Sequence, residues 1–381
     1  MVKNSCFRNN VGVRNPYSVA EIKLKKKIDW SKKNFNAKKQ LLEKAFGMPY
    51  HQLFEPSHGS PLFVNTTKNQ QVMTGGGDPT PCYPYPCPTG TCSTIVNGKY
   101  MISSNAFNDP IQGCLPDCYF IAAISALAWM AKLPSYTSPA YTYTFYSIPP
   151  LGGAPNPTPS IQMTGQLPLD SNGQPIHARS NTWSPAAAEI WPGVYEKAYA
   201  AWAYRQSSGT TSDCPPYSSI CSGNPISTLS NITGRTGYEF KTKDLKNDPI
   251  AIFNKIRDVA CAATIAQDRK TKYPTVAYTY QTTPASGSSY SDDTIVANHS
   301  YSVLGIREVK DALGSVIQRH IILRNPFGQK NHDPANLPST DVVTTGSWLG
   351  AISLADLTDG IFALSADRFA SHFEGFGWIV T

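Results

Sequence analysis

Two stretches of the chain carry hydrophobic patterns strong enough to name their structure. Residues 118–132, CYFIAAISALAWMAK, are apolar nearly all round a helical wheel, which predicts a buried helix with Asp117 as its N-cap. Residues 185–205, PAAAEIWPGVYEKAYAAWAYR, give a second helix, capped by Ser184 with Pro185 in the first turn. Further along, the period changes to two. Residues 300–309 and 316–324 alternate and are rich in β-branched side chains, so they read as strands, with 310–315 and its Gly314 as the turn between them. Pairing Val309 with Val316 sets His299 opposite Pro326, with Asn325 beside it. Paired strands lie about 5 Å apart, so the two side chains fall within contact, and a slip of one or two residues keeps them close.

The same pass divides the chain into three regions. Residues 1–95 hold a lysine-rich arm, a short helix candidate at 37–46, and a Gly- and Pro-dense stretch, GGGDPTPCYPYPCPTGTC, that argues against regular structure. Residues 96–235 are mainly helical, interrupted at 134–181 by a Pro-, Ser- and Tyr-rich insertion expected to form surface hairpins and loops. Residues 236–381 are dominated by β patterns. The expected class is therefore α+β, a helical part followed by an antiparallel β part.

Composition narrows the function classes. The 381-residue chain carries a net charge of +7. Residues 1–50 hold twelve Lys or Arg against three Asp or Glu, leaving twenty-one against twenty-three elsewhere. A basic excess confined to one arm, without interleaved aromatics, gives no case for nucleic acid as a partner. No run approaches the roughly 20 apolar residues that cross a bilayer, and the first residues contain no apolar signal segment. The low charged fraction, 15%, leans towards an extracellular setting and leaves the compartment undecided. Disulfides at the loops around Cys82, Cys87, Cys92, Cys214 and Cys221 fit that setting better than a zinc site, because no histidine pair lies nearby. Oligomeric state is not legible.

Chemistry concentrates at Cys118. A cysteine in the first turn of a buried helix meets the positive end of the helix dipole and unpaired N–H groups, both of which favour thiolate. A thiolate needs a proton acceptor and an oxyanion donor to become a catalyst. His299 is the candidate acceptor, and Asn325 can hold its ring in one tautomer. Gln112, six residues before the cysteine, can set its side-chain amide beside the Cys118 N–H as an oxyanion hole.

Six segments in order carry a family resemblance. QGCLPDCYFIAAISALAW resembles the active-site segment of calpains and their bacterial relatives, whose pattern is QG-x-x-GDC before an aromatic and an apolar helix. NHSYSVLGI and LRNPFGQ are similar to that family's GHAYSV and LRNPWG segments. EIWPGVYEKAYAAW, ISTLSNITGR and DGIFALSADRFASHF match three further family segments. The resemblance covers about residues 100–381. It implies a two-lobed papain-like core and a cysteine endopeptidase that cleaves peptide bonds through a Cys118 thioester, with His299 as base, Asn325 as orienting residue and Gln112 in the oxyanion hole. Protein or peptide substrates follow from it. It also sets Gly113 and Gly223 near the substrate backbone. Three departures stand out. Pro116 replaces a glycine before the cysteine, Asn298 replaces one at the cleft rim before the histidine, and Phe327 replaces the tryptophan that shields the His–Asn bond. The alternative is a catalytically silent relative that binds peptides or partner proteins. No cofactor is required, and no metal ligand set is assigned. Ca2+ is the one cofactor left open, with Ser291-Asp292-Asp293 as its nearest acidic loop. The N-terminal 95 residues have no counterpart in the resemblance and are a candidate inhibitory propeptide.

Overall fold

Alternating strands and an all-apolar helix can bury themselves only against one another, and that is the arrangement found. The computed structural model describes residues 92–94, 99–100, 107–133, 141–149, 154–181, 183–184, 189–260, 266–281, 284–285, 290, 295–328, 342–343, 346–354 and 359–380. All lie within one compact unit, Met48–Thr381; the chain's other unit is Met1–Gly47. The helix expected at 37–46, the Gly/Pro-rich stretch before Cys92 and the 291–293 acidic loop lie outside the described residues.

The helices are α1 (Cys118–Trp129), α2 (Trp191–Ser208), α3 (Pro225–Thr233), α4 (Pro249–Ala260) and α5 (Ala366–His372). A seven-stranded antiparallel sheet is built from β1 (Gly237–Lys241), β2 (Asp268–Thr279), β3 (Ser300–Lys310), β4 (Val316–Arg324), β5 (Val342–Val343), β6 (Ile361–Ser365) and β7 (Phe373–Ile379), in the order β5-β6-β4-β3-β2-β7-β1. Helices plus antiparallel sheets make the molecule α+β, as its patterns predict.

Residues 119–129 of α1 are all buried, which its unbroken apolar surface requires. One flank joins a core with α2 and α3, containing Phe120, Ile124, Tyr195 and Leu229. At its C-terminal end, Trp129 stacks on Trp348 at 5.6 Å, over Leu304 and Ile322. The sheet's other face packs Tyr301, Val303 and Leu323 against Phe253 of α4 and Phe369 of α5. Burying a side chain of this kind contributes about 1.5–3 kcal/mol, so the α1–sheet packing fixes the geometry of everything at the helix N-terminus. Hydrogen bonds bolt the two together: Ser302 Oγ donates to Ala122 O at 2.8 Å, and Trp129 Nε1 to Leu304 O at 2.8 Å.

Four expectations need correction. Helix α2 starts at Trp191, with Pro192 rather than Pro185 in its first turn. Asp117 occupies the N-cap of α1 but makes no side-chain cap bond. The β3–β4 register pairs Ile306 with Ile321 and Lys310 with Val316, shifted from the expected alignment by irregularities at Val303/Gly305 and Val309/Lys310. The 134–181 insertion forms short two-stranded pairs, such as Tyr141–Tyr143 with Ile161–Met163, but is no mere surface feature. It sends Tyr143, Phe145, Ile161, Met163 and Leu167 into the core, because aromatic and aliphatic side chains at alternate positions bury one face of each pair. A disulfide joins Cys92 to Cys214, and Cys114 and Cys221 are disulfide-bonded as well.

Candidate active site

The start of β3 and the end of β4 are neighbours in the sheet, and each ends in a polar residue: His299 just before β3, Asn325 just after β4. Their side chains meet. His299 Nε2 and Asn325 Oδ1 are 2.9 Å apart, and the same Oδ1 accepts the Phe327 N–H at 3.1 Å. A backbone N–H has no alternative but to donate, so Oδ1 is the acceptor and His299 donates from Nε2. The ring therefore keeps its lone pair on Nδ1. Both residues are buried. Thr279 Oγ1 accepts the His299 N–H at 2.9 Å, and Asn325 N–H donates to Gly360 O at 2.9 Å. Phe327 stacks on the imidazole with centroids 4.6 Å apart, and Tyr301 meets it edge-on at 5.0 Å.

Cys118 begins α1 and keeps partial exposure; among the described residues it is the free cysteine. Its thiol lies against Ser300, the residue following His299, whose N–H and hydroxyl favour the thiolate. Burial outweighs them and, with the charge of Asp117, pushes the thiol up to about 11. Desolvation likewise takes His299 down to about 4, against a smaller opposing effect of its bond to Asn325. Burial thus disfavours the charged form of both the thiol and the imidazole.

The loop before the helix is tied to both sides. Gln112 N–H donates to Pro326 O at 2.9 Å, joining it to the Asn325–Phe327 turn. Its side-chain Nε2 donates to Leu115 O at 2.7 Å, with a second hydrogen left over, while buried Oε1 has no partner. Gly113 runs so close to residues 176–177 that a Cβ there would collide with the carbonyls of Ile176 and His177. Gly223 packs on the ring of Tyr119, next to Cys118, and a Cβ there would strike it. Asn298 takes the left-handed φ of +49°, a conformation asparagine tolerates where glycine is the usual choice.

Three residues escaped the sequence reading. Ser300 lies against the thiol. Arg324, fully buried, spans the site: Nη1 donates to Ser125 Oγ at 3.0 Å, and Nη2 to Asn108 O and Pro110 O, both at 2.7 Å. An arginine inside an apolar strand was the available signal, since such a charge survives burial only with dedicated acceptors. Glu196, fully buried in α2, lies beside Asp117. Among the described residues, no group of three or more His, Cys, Asp or Glu is arranged to hold a metal ion. No described helix is long and apolar enough to cross a membrane.

The sheet thus holds a tautomer-fixed histidine on an asparagine, and the residue after that histidine lies against the Cys118 thiol. Residues 160–377 match the family described as calpain family cysteine protease, and the chain belongs to that family. The matched span includes His299 and Asn325 and begins after Cys118. Among curated proteins, the chain is 25% identical over 287 residues to a thiol protease of Porphyromonas gingivalis, covering 71% of this chain and 54% of that protein. It is 26% identical over 279 residues to the calpain-type cysteine protease DEK1 of Arabidopsis thaliana, covering 70% and 11%. Human Calpain-8 is 23% identical over 253 residues, covering 64% and 30%. The chain thus spans about half the length of the bacterial relative and far less of the plant and human ones.

Proposed function

We propose that this calpain-family chain is an active cysteine endopeptidase with Cys118 as nucleophile, His299 as general base and Asn325 as the residue that orients it. The observation carrying this reading is the His299–Asn325 bond, whose direction leaves Nδ1 free to take a proton at the strand end where Ser300 touches the thiol. Because burial disfavours both charged forms, proton transfer to Nδ1 accompanies sulfur attack on the peptide carbonyl rather than preceding it. The tetrahedral oxyanion is received by the Cys118 N–H and the second hydrogen of the Gln112 amide. His299 then protonates the departing amine, and water hydrolyses the Cys118 thioester. Gly113, Gly223, Asn298 and Phe327 line the approach of the substrate backbone. In this reading the helical part up to residue 235 and the β part after it act as the two lobes of the cleft.

A second reading, a silent relative that binds peptides, is favoured by one observation: the Gln112 amide donates into its own loop. The experiment is hydrolysis of unfolded casein by wild type and Cys118→Ala, with and without calcium, alongside labelling by a thiol-reactive peptide epoxide. Cleavage and labelling lost in Cys118→Ala establish the protease. Labelling of Cys118 without cleavage under either condition establishes the silent relative.

A further inference from the structure

The N-cap of α1 holds an unresolved contradiction in charge. Asp117 and Glu196 are both 0% exposed. Ala178 N–H donates to Glu196 Oε2 at 3.0 Å, whereas among the described residues Glu196 Oε1 has no donor and Asp117 has only its own N–H nearby, which is already given to Leu115 O. The two carboxyls lie within hydrogen-bonding reach of each other. Two acceptors facing one another in a dry interior are compatible only when a proton sits between them. Among the described residues no cation supplies an alternative: Lys197, the next residue along α2, donates to Thr164 O, Gln166 O and Asp213 instead. The titratable groups facing the pair are Cys118 and Tyr119 of α1 and Tyr217 of the turn Tyr217–Ile220. His177 stacks on Tyr217 at 3.9 Å and is held neutral by burial.

We propose that Asp117 and Glu196 form a proton-holding carboxyl pair that sets the charge felt by the Cys118 thiol, making both positioning residues for the nucleophile. The inference rests on Cys118 being the reactive thiol. Desolvation raises both carboxyls, Asp117 to about 7 and Glu196 well above its ordinary value. In this proposal the pair's last proton stays on Glu196, which donates it while Asp117 accepts. Below about pH 7 the pair is neutral; above it, one negative charge stands a residue away from the sulfur and raises the thiol. This also explains why Asp117 does not cap its helix: its oxygens turn to Glu196. The position would otherwise add a fixed charge where a thiolate must form.

The test reads Cys118 alkylation by iodoacetamide against pH, followed by the mass of the Cys118 peptide, in wild type, Asp117→Asn and Glu196→Gln. Below the thiol pKa, reactivity falls about tenfold for each unit by which a neighbouring charge raises it. Wild type is expected to show an inflection near pH 7 in addition to the thiol's own ionisation. Asp117→Asn is expected to lose that inflection and to alkylate faster above it. Glu196→Gln is expected to keep it, because the amide N–H replaces the carboxyl proton. A profile in Asp117→Asn that superimposes on wild type overturns the proposal, as does loss of the inflection in Glu196→Gln. If the variants do not fold, infrared spectra of wild type decide: a protonated-carboxyl carbonyl band that titrates near pH 7 supports the pair, and its absence overturns it. Alkylation needs no peptide hydrolysis, so a silent protease with an intact pair is distinguished from an active one without it.

Discussion

Around His299 and Asn325, the sheet side of the site, hydrogen bonds close on one another: Asn325 Oδ1 takes both the imidazole and the Phe327 N–H, and its own N–H is spent on Gly360 O. Around Cys118, the helix side, they stop short. Among the described residues Gln112 Oε1 is buried without a donor, and Asp117 has none beyond its own N–H except the proton proposed on Glu196. A sheet supplies partners at every second residue and so finishes its polar groups locally. A helix N-terminus meets its surroundings end-on and depends on whatever side chains arrive from elsewhere. On the proposed roles, the base is oriented by the fold alone, whereas the nucleophile's charge depends on where protons sit.

The largest effect should come from breaking the finished side. Asn325→Ala leaves the His299 Nε2–H and the Phe327 N–H without their acceptor. Casein hydrolysis should fall about a hundredfold or more, the range a positioned general base contributes. Stability should fall by about 1–3 kcal/mol, the cost of a buried unsatisfied donor, read by urea unfolding. A variant that keeps half the wild-type rate would show that the ring needs no partner, and the contrast between the two sides would go with it.

Next in size is a change on the helix side that alters no charge. Gly113→Ala must push the Gln112–Asp117 loop off the carbonyls of Ile176 and His177. We expect kcat/KM to drop about tenfold and stability by about 1–3 kcal/mol, as overpacking does. Unchanged kcat/KM at reduced stability would mean the loop relaxes without moving the oxyanion donors.

How legible was this in the sequence? The β3–β4 hairpin was, because alternation and a Gly-containing turn are local signals. Its register was not, because the bulge at Gly305 answers to Trp348 and the Arg269 carbonyl, which would meet a Cβ there. The buried character of α1 was legible from its apolar run. The role of Asp117 was not, since its partner Glu196 lies 79 positions away on another helix, and a cap is the local reading of the same residue. Cys118, His299 and Asn325 stood out through motif and hairpin geometry together. Ser300 and Arg324 did not, although Arg324 ties α1 and the 108–110 stretch to β4. Local patterns thus exposed the residues and the hairpin, while the contacts that tune them are long-range.

A smaller and opposite-signed pair of effects tests the electrostatics. Burial lowers both His299 and His177 from 6.5 to about 4. Between those values the unfolded chain binds protons that the folded chain refuses, so stability falls as pH drops through that window. Asp117 runs the other way: raised from 3.8 to about 7, it favours the folded state at low pH, and that contribution is lost as pH rises towards 7. His177→Gln should flatten the decline between pH 6.5 and 5 by roughly 2 kcal/mol in urea unfolding, each pKa unit being about 1.4 kcal/mol. An unaltered slope would remove His177 from the account.

The smallest expected effect concerns how much shielding the finished side needs. Phe327 covers the imidazole at 4.6 Å with the ring planes 27° apart, so water reaches the His299–Asn325 bond only around its edge. A hydrogen bond gains strength in a low-dielectric setting and loses it when water competes. Phe327→Ala removes the cover while leaving the backbone N–H that fixes Asn325 Oδ1, so the tautomer should persist and only the strength of the bond should fall. We expect kcat/KM to drop about fivefold, far less than for Asn325→Ala, which removes the bond itself. Phe327→Trp should alter it by less than about twofold, since the phenyl ring already stacks over the imidazole. If Phe327→Ala proved as damaging as Asn325→Ala, exclusion of water rather than the hydrogen bond would be what holds the base, and the sheet side would be no more self-sufficient than the helix side.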